Sequence, residues 1–94
     1  MDREELLKII ESKEVIGIDL SGQRLEKIDF TGCRIERTSF KGCELVHCRF
    51  RNAKISWSDF RYAELVEKEK REEKYIKMGS TFFTSTILDY IEEN

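Results

Sequence analysis

From Leu20 to Leu65 every fifth residue is Leu, Ile or Phe without a break: Leu20, Leu25, Phe30, Ile35, Phe40, Leu45, Phe50, Ile55, Phe60 and Leu65. Two residues ahead of each stands a mostly small side chain, in the series Ile18, Gln23, Ile28, Cys33, Thr38, Cys43, Cys48, Ala53, Ser58 and Ala63. A helix turns about 500° over five residues, so these positions would scatter around its whole circumference. A straight strand alternates faces, so an odd step would send successive members to opposite sides of a sheet. A chain that bends once per pentad keeps both positions pointing at one axis. The pattern therefore predicts an all-β solenoid.

The number of sides follows from which residues would stack. A step of twenty pairs Leu25 with Leu45, Phe30 with Phe50, Ile35 with Ile55, Phe40 with Phe60 and Leu45 with Leu65, and only Leu20 with Phe40 is unlike. Steps of five, ten and fifteen match far less well, so four pentads per turn is the expectation. Like shapes on levels about 4.8 Å apart pack without voids, and the Phe columns fall on two opposite sides.

Residues 18–67 resemble the pentapeptide-repeat proteins, whose motif is a small residue, a polar residue, Leu or Phe, and two variable positions. Here it reads I-D-L-S-G, Q-R-L-E-K, I-D-F-T-G, C-R-I-E-R, T-S-F-K-G, C-E-L-V-H, C-R-F-R-N, A-K-I-S-W, S-D-F-R-Y and A-E-L-V-E. The resemblance implies a right-handed quadrilateral β-helix, here of about two and a half coils. Gln23 departs from the motif as a polar inward residue, which requires hydrogen-bond partners or a place near an open end. Gly22, Gly32 and Gly42 close their repeats where a corner with φ > 0 suits glycine. No phosphate-loop signature surrounds them. The absence of proline agrees with a ladder that uses most N–H groups.

A solenoid this short, about 12 Å tall from the strand spacing, needs its ends covered. Residues 1–14 are expected to form an N-terminal capping helix over about 3–13, with Asp2 and Glu5 as a capping box and Leu6, Leu7, Ile9 and Ile10 as its apolar stripe. Residues 15–67 are the β-helix, with Val15 in the Ile35/Ile55 column although Lys13 breaks the small-residue rule. Residues 68–94 are expected to be a helical C-terminal arm, in which Glu67–Arg71 and Glu73–Lys77 have helical spacing. An apolar segment follows, with Phe82, Phe83, Ile87, Leu88, Tyr90 and Ile91. It either caps its own chain or carries self-association with another, and these six residues are the self-association candidates.

Composition excludes more than it assigns. The 94 residues carry 17 Lys and Arg against 19 Asp and Glu, a formal charge of −2, which gives no strong electrostatic steer. No apolar run is long enough for a membrane span and no apolar h-region stands behind a basic N-terminus, so the expected address is cytoplasmic. Cys33, Cys43 and Cys48 fall at inward positions with no two stacked, and His47 faces outward, so neither a disulfide nor a zinc site is expected. One histidine and no placeable nucleophile–base pair point away from an enzyme, with no catalytic residue, metal or cofactor and no small-molecule substrate. Asp19, Asp29 and Asp59 occupy the repeat's ordinary polar slot.

Nucleic acid is not expected as a partner, because the modest basic surface of Arg34 beside Lys54 and Lys41 beside Arg61 is diluted by Glu36 and Asp59. Arg37 lies one level from Trp57, spaced for a surface cation–π pair worth about 0.5–1 kcal/mol, and the two form a possible surface contact. Arg24 above Glu44 and Asp29 above Arg49 read as charge pairs that set register. The family resemblance also implies an alternative, a DNA mimic that binds a type II topoisomerase such as gyrase. Nine basic against seven acidic residues between Ile18 and Leu65 do not supply the acidic track that mimicry needs. The expected function is a non-catalytic interaction or scaffold module whose protein partner is itself, as a homodimer or higher oligomer.

Overall fold

A computed structural model of the chain describes residues 1–69 and 72–77. A helix α1 (Arg3–Glu11) is followed by short strands β1 (Glu14–Ile16), β2 (Arg24–Glu26), β3 (Arg34–Glu36), β4 (Glu44–Val46) and β5 (Lys54–Ser56), then by longer β6 (Glu64–Glu69) and β7 (Glu72–Lys77). They form two sheets, ordered β1-β3-β5 and β2-β4-β6-β7. All pairs are parallel except β6–β7. Every parallel register is offset by twenty residues, as in Val15–Ile35, Ile35–Ile55, Leu25–Leu45 and Leu45–Leu65. Single bridges Asp19–Ser39–Asp59 and Asp29–Arg49 join the pentads between strands at the same offset. Four pentads thus separate each segment from its hydrogen-bonded neighbour, and the fold is β-helix-like.

The ladder is regular because each amide reaches the carbonyl nineteen residues ahead or twenty-one behind. Phe30 N–H donates to Arg49 O at 2.7 Å, Gly32 N–H to Arg51 O at 2.9 Å, and Lys54 N–H to Cys33 O at 2.9 Å. A proline at any of these positions would remove a rung of the ladder.

The core lies on the axis. Leu20, Phe30, Ile35, Phe40, Leu45, Phe50, Phe60 and Leu65 are all fully buried. Phe30 stacks on Phe50 with ring centroids 4.8 Å apart, and Phe40 on Phe60 at 4.7 Å. Between the two columns the rings meet edge to face, at 5.8 Å for Phe30–Phe40 and 6.2 Å for Phe40–Phe50. Both geometries suit the ring quadrupole.

At the N-terminal end Asp2 caps α1, its carboxylate accepting from Glu5 N–H at 2.8 Å. Leu6 and Ile10 face the core one helical turn apart, and Ile9 packs beside them. Leu7 points away and is exposed, so the apolar stripe is narrower than the sequence suggests. The helix stops at Glu11, where Ser12 bonds back to Ile9 O and Lys13 turns left-handed. Lys13 N–H still closes on Ile10 O while Lys13 O accepts from Arg34 N–H. The parallel ladder therefore begins at Lys13, five residues ahead of the first matching pentad.

The expected charged helix after residue 67 is not there. Residues 68–69 belong to β6 and residues 72–77 form β7, an antiparallel pair whose register sets Glu64 opposite Lys77, Leu65 opposite Ile76, Val66 opposite Tyr75, Glu67 opposite Lys74 and Lys68 opposite Glu73. Residues of opposite charge also fall at opposing register positions of this pair, so their spacing does not by itself select a helix. Residues 78–94, with the candidates Phe82, Phe83, Ile87, Leu88, Tyr90 and Ile91, lie outside the described residues.

Candidate interaction surface

The outer surface is set by the corners. The last residue of every pentad from Gly17 to Tyr62 has positive φ: Gly17, Gly22, Lys27, Gly32, Arg37, Gly42, His47, Asn52, Trp57 and Tyr62. Six of the ten are therefore side-chain residues held in a conformation that costs an L-residue about 1–2 kcal/mol. The sequence marks only the glycines, because Lys, Arg, Trp and Tyr are not residues one associates with a left-handed corner.

Alternate corners are built differently. At residues 22, 32, 42, 52 and 62 a tight turn is closed by a bond from the next residue back across it, as from Cys33 N–H to Phe30 O at 3.0 Å. Four of these turns are also braced from the polar slot of their own pentad. Asp19 accepts from Ser21 N–H, Asp29 from Thr31 N–H, Ser39 from Lys41 N–H and Asp59 from Arg61 N–H. These acidic residues thus have a structural task, as in Asx-turns. The bonds hold all three carboxyls below the usual range, chiefly through the side chains of Ser21, Thr31 and Arg61 respectively. Gln23 sits half-buried at a shallow groove between the start of α1 and β2, near the open end where a polar inward residue is tolerated.

The thiols do more than fill space. Cys43 Sγ donates to Leu20 O at 2.8 Å and Cys48 Sγ to Leu25 O at 3.2 Å, and the Thr38 hydroxyl makes the equivalent bond to Val15 O at 3.0 Å. These three inward donors so tie their levels to the carbonyl twenty-three residues earlier. Burial pushes both thiols up to about 11. All three cysteines are buried and none forms a disulfide. Among the described residues no group of His, Cys, Asp and Glu is arranged to hold a metal ion, and no helix is long and apolar enough to cross a membrane.

Charge and aromatic character concentrate toward residues 47–62. Much of the surface charge elsewhere is paired locally, Arg24 with Glu26 and Glu44, and Arg34 with Glu36. Asp59 is gripped by Arg61 at 2.7 Å. Glu36 and Asp59, which dilute the basic surface in sequence, are thus already neutralised by neighbours. Arg37, Lys41, Arg49, Arg51 and Lys54 make no ion pair with another described residue. Trp57 and Tyr62 stand on successive corners, 89% and 59% exposed. Arg37 shares the Trp57 corner column one level away, its N–H reaching Ser56 O at 3.3 Å. An indole so open has no guanidinium lying over its face. Tyr62 and Arg51 were not singled out in the sequence, although Tyr62 stands one pentad on from Trp57.

The offset of twenty, the inward columns and the left-handed corners define a β-helix-like repeat protein. The family model for pentapeptide repeats matches eight copies, over residues 16–52 and 28–65. The chain belongs to the pentapeptide-repeat family. No curated protein and no solved structure matches it.

Proposed function

We propose that this chain is a non-catalytic interaction or scaffold module that associates with itself in the cytoplasm. In this reading the repeats wind into the right-handed quadrilateral coil of about two and a half turns typical of the family, and the coil serves as a rigid platform. The observation that carries the proposal is the exposed pair Trp57 and Tyr62, held on strained corners near Arg51 and Lys54, which form no ion pair with another described residue. Strained backbone that displays large aromatic groups to solvent contributes nothing to the chain's own stability, and Trp, Tyr and Arg are the residues that dominate protein interfaces. The candidates Phe82, Phe83, Ile87, Leu88, Tyr90 and Ile91 supply the apolar counterpart, with Arg37 and Trp57 at the contact.

The DNA-mimic alternative is disfavoured, because residues 18–65 carry nine basic against seven acidic residues and so supply no acidic track. Light scattering on the full chain over a hundredfold range of concentration tests self-association. A dimeric or larger mass that falls on dilution is the expected result. A monomeric mass throughout overturns it.

A further inference from the structure

Among the described residues the register leaves one edge unfilled. Twenty residues after β5 come residues 74–76, the natural next strand of the β1-β3-β5 sheet, but they pair instead with β6. Among the described residues β5 is therefore the terminal strand of its sheet, with one row of backbone groups facing away from β3. Its Ile55 is half-buried, while Val15 and Ile35 in the same column are completely covered. Around this edge, residues 47–62 carry the cations Arg49, Arg51, Lys54 and Arg61 against the single acid Asp59, together with Trp57 and Tyr62.

The chain contains a segment of matching character. Residues 78–94 hold the acids Asp89, Glu92 and Glu93 and no Lys or Arg, interleaved with Phe82, Phe83, Ile87, Leu88, Tyr90 and Ile91. Acids alone would suit a cationic surface, and apolar residues alone would suit Ile55 and Trp57. This segment offers both.

We infer that residues 78–94 of a second copy dock along the outer edge of β5, with their acids toward Arg51 and Lys54 and their apolar side chains against Ile55 and Trp57, and that the second copy's edge receives the first chain's segment in return. Reciprocal exchange closes a two-fold dimer, whereas a one-way exchange would grow without limit. The inference rests on the self-association reading and assigns its surface. Opposite charge on edge and segment steers the copies together and fixes their register.

A charge-swap experiment on full-length chains tests this. Arg51→Glu with Lys54→Glu in one chain, and Glu92→Lys with Glu93→Lys in another, each set like charges against one another, so each variant alone is expected to dimerise at least tenfold more weakly than wild type. Mixed in equal amounts they restore opposite charge at both contacts, and the dissociation constant should return to within about threefold of wild type. Rescue by mixing also shows that both variants fold. Trp57 is the chain's one tryptophan, so its emission in the unmodified protein should shift to the red as the dimer is diluted apart. If wild type dimerises but the mixture is no tighter than either variant, self-association stands and this surface is wrong. A Trp57 emission that is blue-shifted and independent of concentration places the segment on its own chain and overturns the exchange. A wild type that is monomeric throughout sinks both readings.

Discussion

Gly32→Ala and Lys27→Gly make a matched pair that isolates the energetics of the corners. Gly32 has φ of 71° and a Cβ built on it would meet no atom within 4 Å, so substitution adds no clash and the whole effect is conformational. The left-handed region costs an L-residue about 1–2 kcal/mol. Alanine also stiffens the unfolded chain, which returns about 0.4–1 kcal/mol. A net loss of about 1 kcal/mol is expected, equivalent to a fall in melting temperature of about 4–8 °C for a domain of this size. Lys27, at φ of 54°, sits in the opposite situation. Glycine there relieves the strain and gives up the same entropy, so Lys27→Gly should gain about 1 kcal/mol. Urea denaturation followed by far-UV circular dichroism resolves a difference of about 2 kcal/mol between the variants. If Gly32→Ala is neutral, or if Lys27→Gly loses stability, the corners do not carry the strain assigned to them.

Three other expectations follow from the core and its bonds. Phe40→Ala removes a fully buried ring that contacts Phe30, Phe50 and Phe60, and should cost about 3–5 kcal/mol, with Phe40→Leu far milder; equal losses in denaturant melts would contradict the ring packing. Cys43 and Cys48, with thiols raised from 9.0 to about 11, should resist alkylation by iodoacetamide in the folded chain. Because the unfolded thiol loses its proton near pH 9 and the folded one near 11, stability should fall as pH rises across that window, and Cys43→Ser should flatten the fall in pH-dependent melts. Asp29 and Asp59 titrate below the ordinary carboxyl value of 3.8 when folded, so their contribution is present above that pH and is lost as pH falls through and below it. Asp59→Asn should weaken the pH dependence of unfolding below about pH 4, where wild type loses stability.

The inward columns were legible because packing imposes the same demand on every level. Phe30 over Phe50 and Phe40 over Phe60 follow from arithmetic on the sequence alone. The hairpin was not legible, because Glu67, Lys68, Glu73 and Lys74 satisfy helical and cross-strand pairing equally well. What decides between them is tertiary: Leu65 and Val66 are already committed to the β2-β4-β6 sheet, and β7 extends that commitment. The corners were half-visible, since glycine announces a left-handed residue whereas Trp57 and Tyr62 conceal one. Nor could the repeat motif reveal that Asp19, Asp29 and Asp59 brace turns, since that role depends on corners of two kinds alternating every ten residues. The unfilled edge of β5 became apparent only once the partner of residues 74–76 was known.

The offset of twenty also limits how such a chain can change in length. Excision of one pentad would put everything downstream out of the twenty-residue register and set phenyl groups under isoleucine, so the mismatch would run through the whole interior. Excision of residues 31–50 would bring Phe60 into the place vacated by Phe40 and Ile55 into that of Ile35, and every column would keep its kind. Gains and losses of whole circuits are therefore conservative for this architecture, while smaller ones are frameshifts in three dimensions.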